Sequence, residues 1–264
     1  MTGKHRASWC QLCDLSAVTA AERKHAHRTR PLEAIRGIRA LLANPDDTSQ
    51  VFRIIRAASG RSFERLFRRV KQDPSGARIL AEQRGLLDAL SDRERLRGLA
   101  DGTLGREYAR FMDAEQISAD GLAEASLPDQ PQDASPLGPE AEVLGERLRD
   151  MHDLWHVTTG YGRDLLGEAA LLAFSYAQTR NRGIGIIVGV ALYKMWRGGA
   201  NEAVELVRGG YRRGRKARLL PAADWEALLE LPLDQVRRQL EVEPAPSYAQ
   251  ERSAGAPPLA NAAA

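Results

Sequence analysis

From Pro31 onward, apolar residues recur at the spacing of an amphipathic helix, as Leu32, Ile35 and Ile38 do in the first such stretch. Alternation of apolar and polar residues, which is typical of a half-buried strand, is almost absent. The pattern therefore predicts an all-α fold. Its helices are predicted at about residues 31–42, 48–58, 61–70, 74–80, 86–90, 104–112, 144–159, 164–178, 183–196, 221–229 and 233–240.

The composition of the chain changes at three places and predicts its domain organisation. Residues 118–140 combine several prolines with Ser, Asp and Gln, which predicts a long loop between two helical halves, either mobile or a lid. Residues 1–30 are basic and residues 244–264 are rich in Pro, Ala and Gly, so both are predicted to be disordered. Residues 31–243 are predicted to form a single multi-helix domain.

Residues 183–196, GIGIIVGVALYKMW, form the most apolar stretch of the chain. The stretch is shorter than the roughly 20 residues that a membrane-spanning helix needs. Gly185 and Gly189 lie four residues apart, a spacing that allows a second helix to approach closely. Two interpretations remain open. One is tight packing in the core, and the other is the wall of a lipid-binding cavity that lies against a membrane, with basic residues at its ends: Arg180, Arg182, Lys194 and Arg197.

The charge is unevenly distributed. The formal net charge is +3, and residues 1–30 alone hold six basic and two acidic side chains, so the remainder is close to neutral. This balance argues against a nucleic-acid-binding protein. Residues 208–218, RGGYRRGRKAR, hold six basic side chains. Such a run is either a solvated face or a site for phosphate or anionic lipid headgroups.

The two cysteines, Cys10 and Cys13, form a C-x-x-C pair within the N-terminal extension. His25 and His27 follow, but a single residue separates them, whereas zinc fingers have about three to five residues there. A structural zinc site and a redox pair therefore stand as alternatives to a disordered extension, and the role of the pair stays open. The absence of cysteine after residue 13 gives no indication of an oxidising compartment.

Residues 151–168, MHDLWHVTTGYGRDLLGE, gather most of the candidate chemistry. On one helix, His152, Asp153 and His156 share a face, which is typical of metal ligands but also occurs on ordinary helices. Glu168 follows His156 by twelve residues, about 18 Å along a continuous helix, which is too far for a shared ion. The intervening Gly-Tyr-Gly allows the chain to turn back. The pattern predicts two antiparallel helices, with Glu168 on the second.

This segment resembles the H-D-x-x-H-(x)11-E signature of the coenzyme Q biosynthesis protein 4 family, which acts in ubiquinone synthesis. Other stretches resemble family sequences in the same order. They are NPDDT at 44–48, GTLGREYARFM at 102–112, AFSYAQT at 173–179, YRRGRKA at 211–217 and WEALLELPLDQVR at 225–237. The resemblance covers about residues 31–243, so both cysteines lie outside it.

The resemblance implies an all-helical protein that forms homodimers and works peripherally on a membrane with polyprenyl intermediates. That membrane is the inner membrane, at its cytoplasmic face or at the matrix side in mitochondria. The resemblance further implies a bound divalent metal, usually zinc, with His152, Asp153, His156 and Glu168 as ligands. Two functions are implied: C1 decarboxylation of a polyprenyl-hydroxybenzoate, with or without hydroxylation, and a scaffold for the other ubiquinone biosynthesis enzymes.

The residue types leave the metal and the substrate contacts open. Zn²⁺ suits Lewis-acid chemistry, whereas two histidines and a carboxylate also match the ligands of non-haem iron oxygenases, so Fe²⁺ is the alternative. Apolarity and position nominate three aromatic residues for contact with the prenyl chain, and charge nominates three arginines, although each aromatic residue also suits the core. The candidates are Tyr108, Phe174, Tyr176, Arg212, Arg213 and Arg215.

Overall fold

The structure, a computed structural model, describes residues 29–43, 48–117 and 137–250. Within these ranges the regular elements are helices. The described residues also contain one isolated β-bridge, between Thr103 and Pro232. The prediction of an all-α fold is confirmed. Cys10 and Cys13, most of the predicted extension and most of the Pro-rich loop lie outside the described residues.

Fourteen α-helices and one short 3₁₀ helix are present in the described ranges. The α-helices are α1 Pro31–Ala43, α2 Thr48–Ala58, α3 Ser62–Gln72, α4 Pro74–Ala81, α5 Leu87–Ser91, α6 Arg93–Gly98, α7 Leu104–Glu115, α8 Pro139–Asp150, α9 His152–Thr159, α10 Leu165–Thr179, α11 Arg182–Arg197, α12 Asn201–Lys216, α13 Trp225–Leu228 and α14 Leu233–Leu240. The 3₁₀ helix, Leu220–Ala222, lies between α12 and α13. Among these helices, none is both long and apolar enough to cross a lipid bilayer.

Helix α10 is the central helix of the C-terminal half, and α12 packs along it. The approach is close because Gly210 and Gly214 of α12 face the backbone of α10: a Cβ atom on Gly210 would collide with the carbonyl oxygen of Ala170, and one on Gly214 would lie 2.6 Å from that of Phe174. Gln178 joins the ends of the two helices by donating to the carbonyl oxygen of Gly214 at 2.6 Å. The sequence had assigned no helix to residues 201–216.

Helix α11 packs mainly against α2 and α10 and also contacts α12. The predicted close approach occurs at Gly185, which faces the ring of Tyr176. A further close approach, which was not predicted, occurs at Gly183, where a Cβ atom would touch the backbone of Ile55. Gly189 has open space around it, so the prediction of a Gly185–Gly189 seam is wrong at its second position. Only the first half of this apolar helix is buried, since its buried residues end at Val188.

Three further predictions need correction. The helix predicted over residues 144–159 is two helices, α8 and α9, because the ψ angle of Met151 is −3° and departs from the α-helical value. Pro139 starts α8 at the first helical position that proline favours, so the predicted loop 118–140 ends slightly earlier. Residues 244–250, predicted to belong to a disordered tail, have no regular secondary structure but bond to the core through Ala245 and Tyr248.

Candidate metal centre

Helix α9 carries the two histidines and is buried almost all round. Every residue from Asp153 to Thr159 is buried, whereas His152 at the start of the helix is partly exposed. A helix end buried in this way needs partners for its last carbonyl groups. Arg237 donates to the carbonyls of Thr158 at 2.9 Å and Val157 at 3.2 Å, which anchors α9 against α14.

The chain turns back between α9 and α10, as the Gly-Tyr-Gly sequence predicted. Gly160 ends α9 with a φ of +77°, the left-handed conformation that favours glycine. Asp164 then starts α10, since its carboxylate accepts hydrogen bonds from the amides of Leu166 and Gly167 at 3.1 and 3.2 Å. Glu168 consequently lies in the first turn of α10, beside the histidines of α9.

Three side chains converge at this turn: His152, His156 and Glu168. The Nε2 atoms of the two histidines are 3.3 Å apart. The Glu168 carboxylate lies 3.4 Å from Nε2 of His156 and 3.7 Å from Nε2 of His152. Ligand atoms about 2.0–2.1 Å from a tetrahedral ion are about 3.3 Å from one another. The three separations therefore fit a divalent metal ion, with three protein ligands and a further coordination position.

The orientation of His156 makes its Nε2 atom available as a ligand. Its Nδ1 atom lies 2.9 Å from the carbonyl oxygen of Tyr161, and a carbonyl only accepts, so in the neutral imidazole Nδ1 carries the proton and Nε2 the lone pair. The ring of Phe111 stacks on the imidazole, with centroids 5.5 Å apart. The imidazole is thus fixed from two sides before any ion binds.

His156 and Glu168 each stabilise the charged form of the other. Burial opposes protonation of His156, but the Glu168 carboxylate, the charge of Asp153 and the carbonyl of Tyr161 together outweigh burial and raise the pKa of the imidazole above its ordinary value. Burial also acts to raise the pKa of the Glu168 carboxyl, yet His156 and His152 hold it well below its usual range. Glu168 is therefore an anion at neutral pH, the form that binds a metal ion.

Asp153, predicted as a fourth ligand, is not one of the three converging residues. The residue is buried, with 5% of its surface exposed. Its charge helps to raise the pKa of His156, so it acts on the cluster electrostatically. This arrangement places Asp153 beside the ligands and leaves its assignment as a ligand a prediction.

The aromatic candidates for prenyl contact lie in two environments. Tyr108 and Phe174 are 1% and 0% exposed and belong to the main core, where the ring of Phe174 meets that of Trp155 edge to face. Tyr176 is partly buried and stacks on Tyr211 with centroids 5.9 Å apart. The burial of Tyr108 and Phe174 is that of core side chains, and their contact with substrate remains a prediction.

The three candidate arginines of α12 point in different directions. Arg212 and Arg215 are exposed, and Arg212 pairs with Glu205 at 3.4 Å. Arg213 turns inward and donates to the hydroxyl of Tyr161 at 3.1 Å. The run therefore has one inward arginine, which contacts the turn beside the candidate metal centre. The exposure of the other two fits both a solvated face and a site for phosphate or lipid headgroups, and the second stays a prediction.

Sequence reasoning missed two residues around the centre. Asp164 had a signal, because an Asp directly before an apolar helical run is typical of an N-cap. Tyr248 had none, since it reaches Asp164 across 84 positions, with its hydroxyl donating to the carboxylate at 2.7 Å. Only the folded chain brings these two residues together.

Comparison with solved structures supports the fold. A crystal structure of a candidate ubiquinone biosynthesis protein from Nostoc punctiforme matches with a TM-score of 0.62, covering 80% of this chain and 98% of that one. The identity between the two sequences is 21%, so the likeness concerns the fold alone. It extends the all-α architecture to an experimentally determined protein.

Comparison with other sequences identifies the family. Mitochondrial ubiquinone biosynthesis protein COQ4 homologues from rat and zebrafish are each 30% identical, over 69% and 78% of this chain and 66% and 74% of their own lengths. The human homologue is 28% identical over 79% of this chain and 76% of its own length. The family model for coenzyme Q (ubiquinone) biosynthesis protein Coq4 matches residues 25–246. The chain therefore belongs to the Coq4 family of ubiquinone biosynthesis proteins.

Proposed function

We propose that this chain carries out metal-dependent C1 decarboxylation of a polyprenyl-hydroxybenzoate in ubiquinone biosynthesis. The observation that carries the proposal is the convergence of His152, His156 and Glu168 at the spacing of metal ligands. In this reaction the bond between the ring and its carboxylate breaks, CO₂ leaves and a proton takes its place. An oxidative form, with hydroxylation at the same carbon, would additionally require O₂ and a reductant.

The protein's own groups have distinct tasks in this proposal. His152, His156 and Glu168 would hold a divalent ion, Zn²⁺ in the first instance and Fe²⁺ for an oxidative reaction. When bound, the ion supplies a Lewis acid for the negative charge that develops on the ring. Tyr161 fixes the orientation of His156 through its carbonyl group, and the exposed edge of His152 marks the side open to substrate.

Removal of a ligand tests the catalytic proposal. Glu168→Gln and His156→Ala should abolish conversion of a prenylated hydroxybenzoate by purified protein, because each removes one of three charged or lone-pair donors. Glu205→Gln is the matched control, since this carboxylate lies on the exposed face of α12. Full restoration of quinone synthesis in a deletion strain by either ligand variant would contradict catalysis at this centre.

Metal identity requires a separate measurement. Protein purified without oxygen should contain close to one equivalent of a divalent metal, and this content should fall in His156→Ala protein. Zinc would favour the simple decarboxylation, whereas iron would favour the oxidative form. Metal content that is unchanged in the variant would remove His156 from the ligand set.

The exposed half of α11 supports work at a membrane surface. Ile186, Tyr193 and Trp196 are 39%, 57% and 66% exposed, and Lys194 and Arg197 lie among them. Aromatic and basic side chains of this kind suit the interface of an anionic bilayer. We therefore place α11 against the inner membrane, at its cytoplasmic face or matrix side, where polyprenyl substrates reside.

A vesicle-binding experiment tests whether the exposed side of α11 contacts a membrane or a protein partner. Tyr193→Ser/Trp196→Ser protein should lose co-sedimentation with vesicles that contain anionic lipid, while Tyr211→Ser, an exposed aromatic change on α12, should retain it. If both proteins bind vesicles equally, α11 does not face the membrane. Sedimentation equilibrium of the same proteins tests the predicted homodimer.

The same exposed helix favours a second candidate function, a non-catalytic scaffold that organises other ubiquinone biosynthesis enzymes. A scaffold predicts that affinity-purified protein retrieves those enzymes from cells. It also predicts that quinone synthesis fails in the Tyr193→Ser/Trp196→Ser variant and survives in Glu168→Gln. The catalytic proposal predicts loss of synthesis in Glu168→Gln, so this variant separates the two functions.

A further inference from the structure

One peptide group connects the metal centre to the C-terminal segment of the chain. The carbonyl oxygen of Tyr161 accepts the hydrogen bond from Nδ1 of His156 at 2.9 Å. The amide nitrogen of the same peptide unit belongs to Gly162, and it donates to the hydroxyl of Tyr248 at 2.9 Å. His156 and Tyr248 therefore bond to opposite ends of a single peptide plane.

The hydroxyl of Tyr248 has a second partner, the buried carboxylate of Asp164. It donates to one carboxylate oxygen at 2.7 Å, while the other oxygen caps α10 through the amides of Leu166 and Gly167. Burial and the bond to Asp164 raise the pKa of the Tyr248 hydroxyl far above its ordinary value, so it remains a proton donor. Gly167 provides the space, since a Cβ atom there would press on this hydroxyl.

These bonds all run in one direction. His156 donates to the peptide, the peptide donates to Tyr248, and Tyr248 donates to the negatively charged carboxylate of Asp164. Hydrogen bonds in such a chain polarise one another, and the carboxylate at its end makes each acceptor stronger. In many metal sites a carboxylate bonds directly to a ligand histidine, which fixes its orientation and raises its basicity. Here a phenol and a peptide group lie between the two.

We propose that Tyr248 is a positioning residue of the metal centre, which relays the negative charge of Asp164 through the Tyr161–Gly162 peptide to the imidazole of His156. The same hydroxyl joins the turn that follows α9 to the cap of α10, so it also fixes Glu168 relative to His156. This inference rests on the proposed metal centre. Tyr248 lies just beyond residues 25–246, the part of the chain that matches the family model.

The test measures zinc affinity of the full chain by competition with a chromophoric chelator. Tyr248→Phe removes only the hydroxyl and should weaken zinc binding about tenfold, the lower end of the effect of losing a partner of a ligand. Asp164→Asn keeps an oxygen for the helix cap but removes the charge, and it should weaken binding to a similar extent. Tyr193→Phe, the same change at an exposed tyrosine of α11, should leave affinity unchanged.

Three results would overturn the inference: affinity of Tyr248→Phe within twofold of the unsubstituted protein, an equal loss in Tyr193→Phe, or unchanged affinity of Asp164→Asn. If Tyr248→Phe also lowers the unfolding temperature, the zinc affinity of Asp164→Asn decides whether the inference holds. A change in the visible spectrum of bound Co²⁺ in Tyr248→Phe would support an altered ligand field. His156→Ala distinguishes failure of the proposed metal centre from failure of the proposed role of Tyr248. Zinc affinity that survives this change refutes the metal centre itself.

Discussion

Helices α11 and α12 make an instructive comparison, because each has 16 residues, each carries a pair of glycines four residues apart, and both pack against α10. The apolar helix, α11, has one side open to solvent, with Gly189 in open space. The basic helix, α12, packs backbone to backbone through Gly210 and Gly214. The overall hydrophobicity of a helix thus does not identify the tightest seam. The glycine spacing does not identify it either, because both helices have it and only the pair on α12 meets the backbone of α10 at both positions.

The largest expected effect on stability comes from adding a side chain where α12 packs against α10. Gly210→Ala should lower the free energy of unfolding by about 4 kcal/mol, because a Cβ atom would collide with the carbonyl of Ala170 and force α10 and α12 apart. Urea denaturation followed by circular dichroism measures this change. A variant as stable as the unsubstituted protein would show that the two helices are not in close contact in solution.

A pair of neighbouring residues tests how deeply α11 is buried. Ile187→Ala should cost about 3 kcal/mol, since Ile187 is 7% exposed, whereas Ile186→Ala, at 39% exposure, should cost well under half as much. Thermal unfolding of both variants gives the difference directly. Equal costs would indicate that a partner covers the outer face of α11 in solution.

An intermediate effect is expected at the one inward arginine of α12. Arg213→Met should cost about 1–2 kcal/mol, because it removes the hydrogen bond to the hydroxyl of Tyr161. Arg212→Met is the control and should leave the denaturation midpoint unchanged, since that side chain is exposed. A double-mutant cycle with Tyr161→Phe measures the pairwise term, and a coupling of zero would rule out this contact.

The smallest effect has the opposite sign. Gly189→Ala should stabilise the protein by about 0.5–1 kcal/mol, because alanine is the better helix former and nothing lies within 4 Å of the added Cβ atom. The measurement is the same urea titration as for Gly210→Ala. Destabilisation by Gly189→Ala would mean that another molecule or chain segment approaches this part of α11.

The candidate metal centre was predicted more completely than its surroundings. Spacing along a helix brought His152 and His156 together, and the axial distance required a turn before Glu168, which the structure contains. Asp153 met the same spacing rule, yet it is absent from the converging group. Angular position on a helix gives the face of a side chain but not its reach or rotamer, so spacing alone could not show which of these residues converge.

Local sequence determined the helical class, the turn at Gly160 and the cap at Asp164, because each depends on residues within a few positions of one another. Only tertiary structure decided that α12 rather than α11 forms the tight seam, and that Tyr248 reaches Asp164 across 84 positions. The physical reason is the range of the interactions. Helix formation and capping are local, whereas packing against a backbone and long-range hydrogen bonds depend on where the whole chain brings each group.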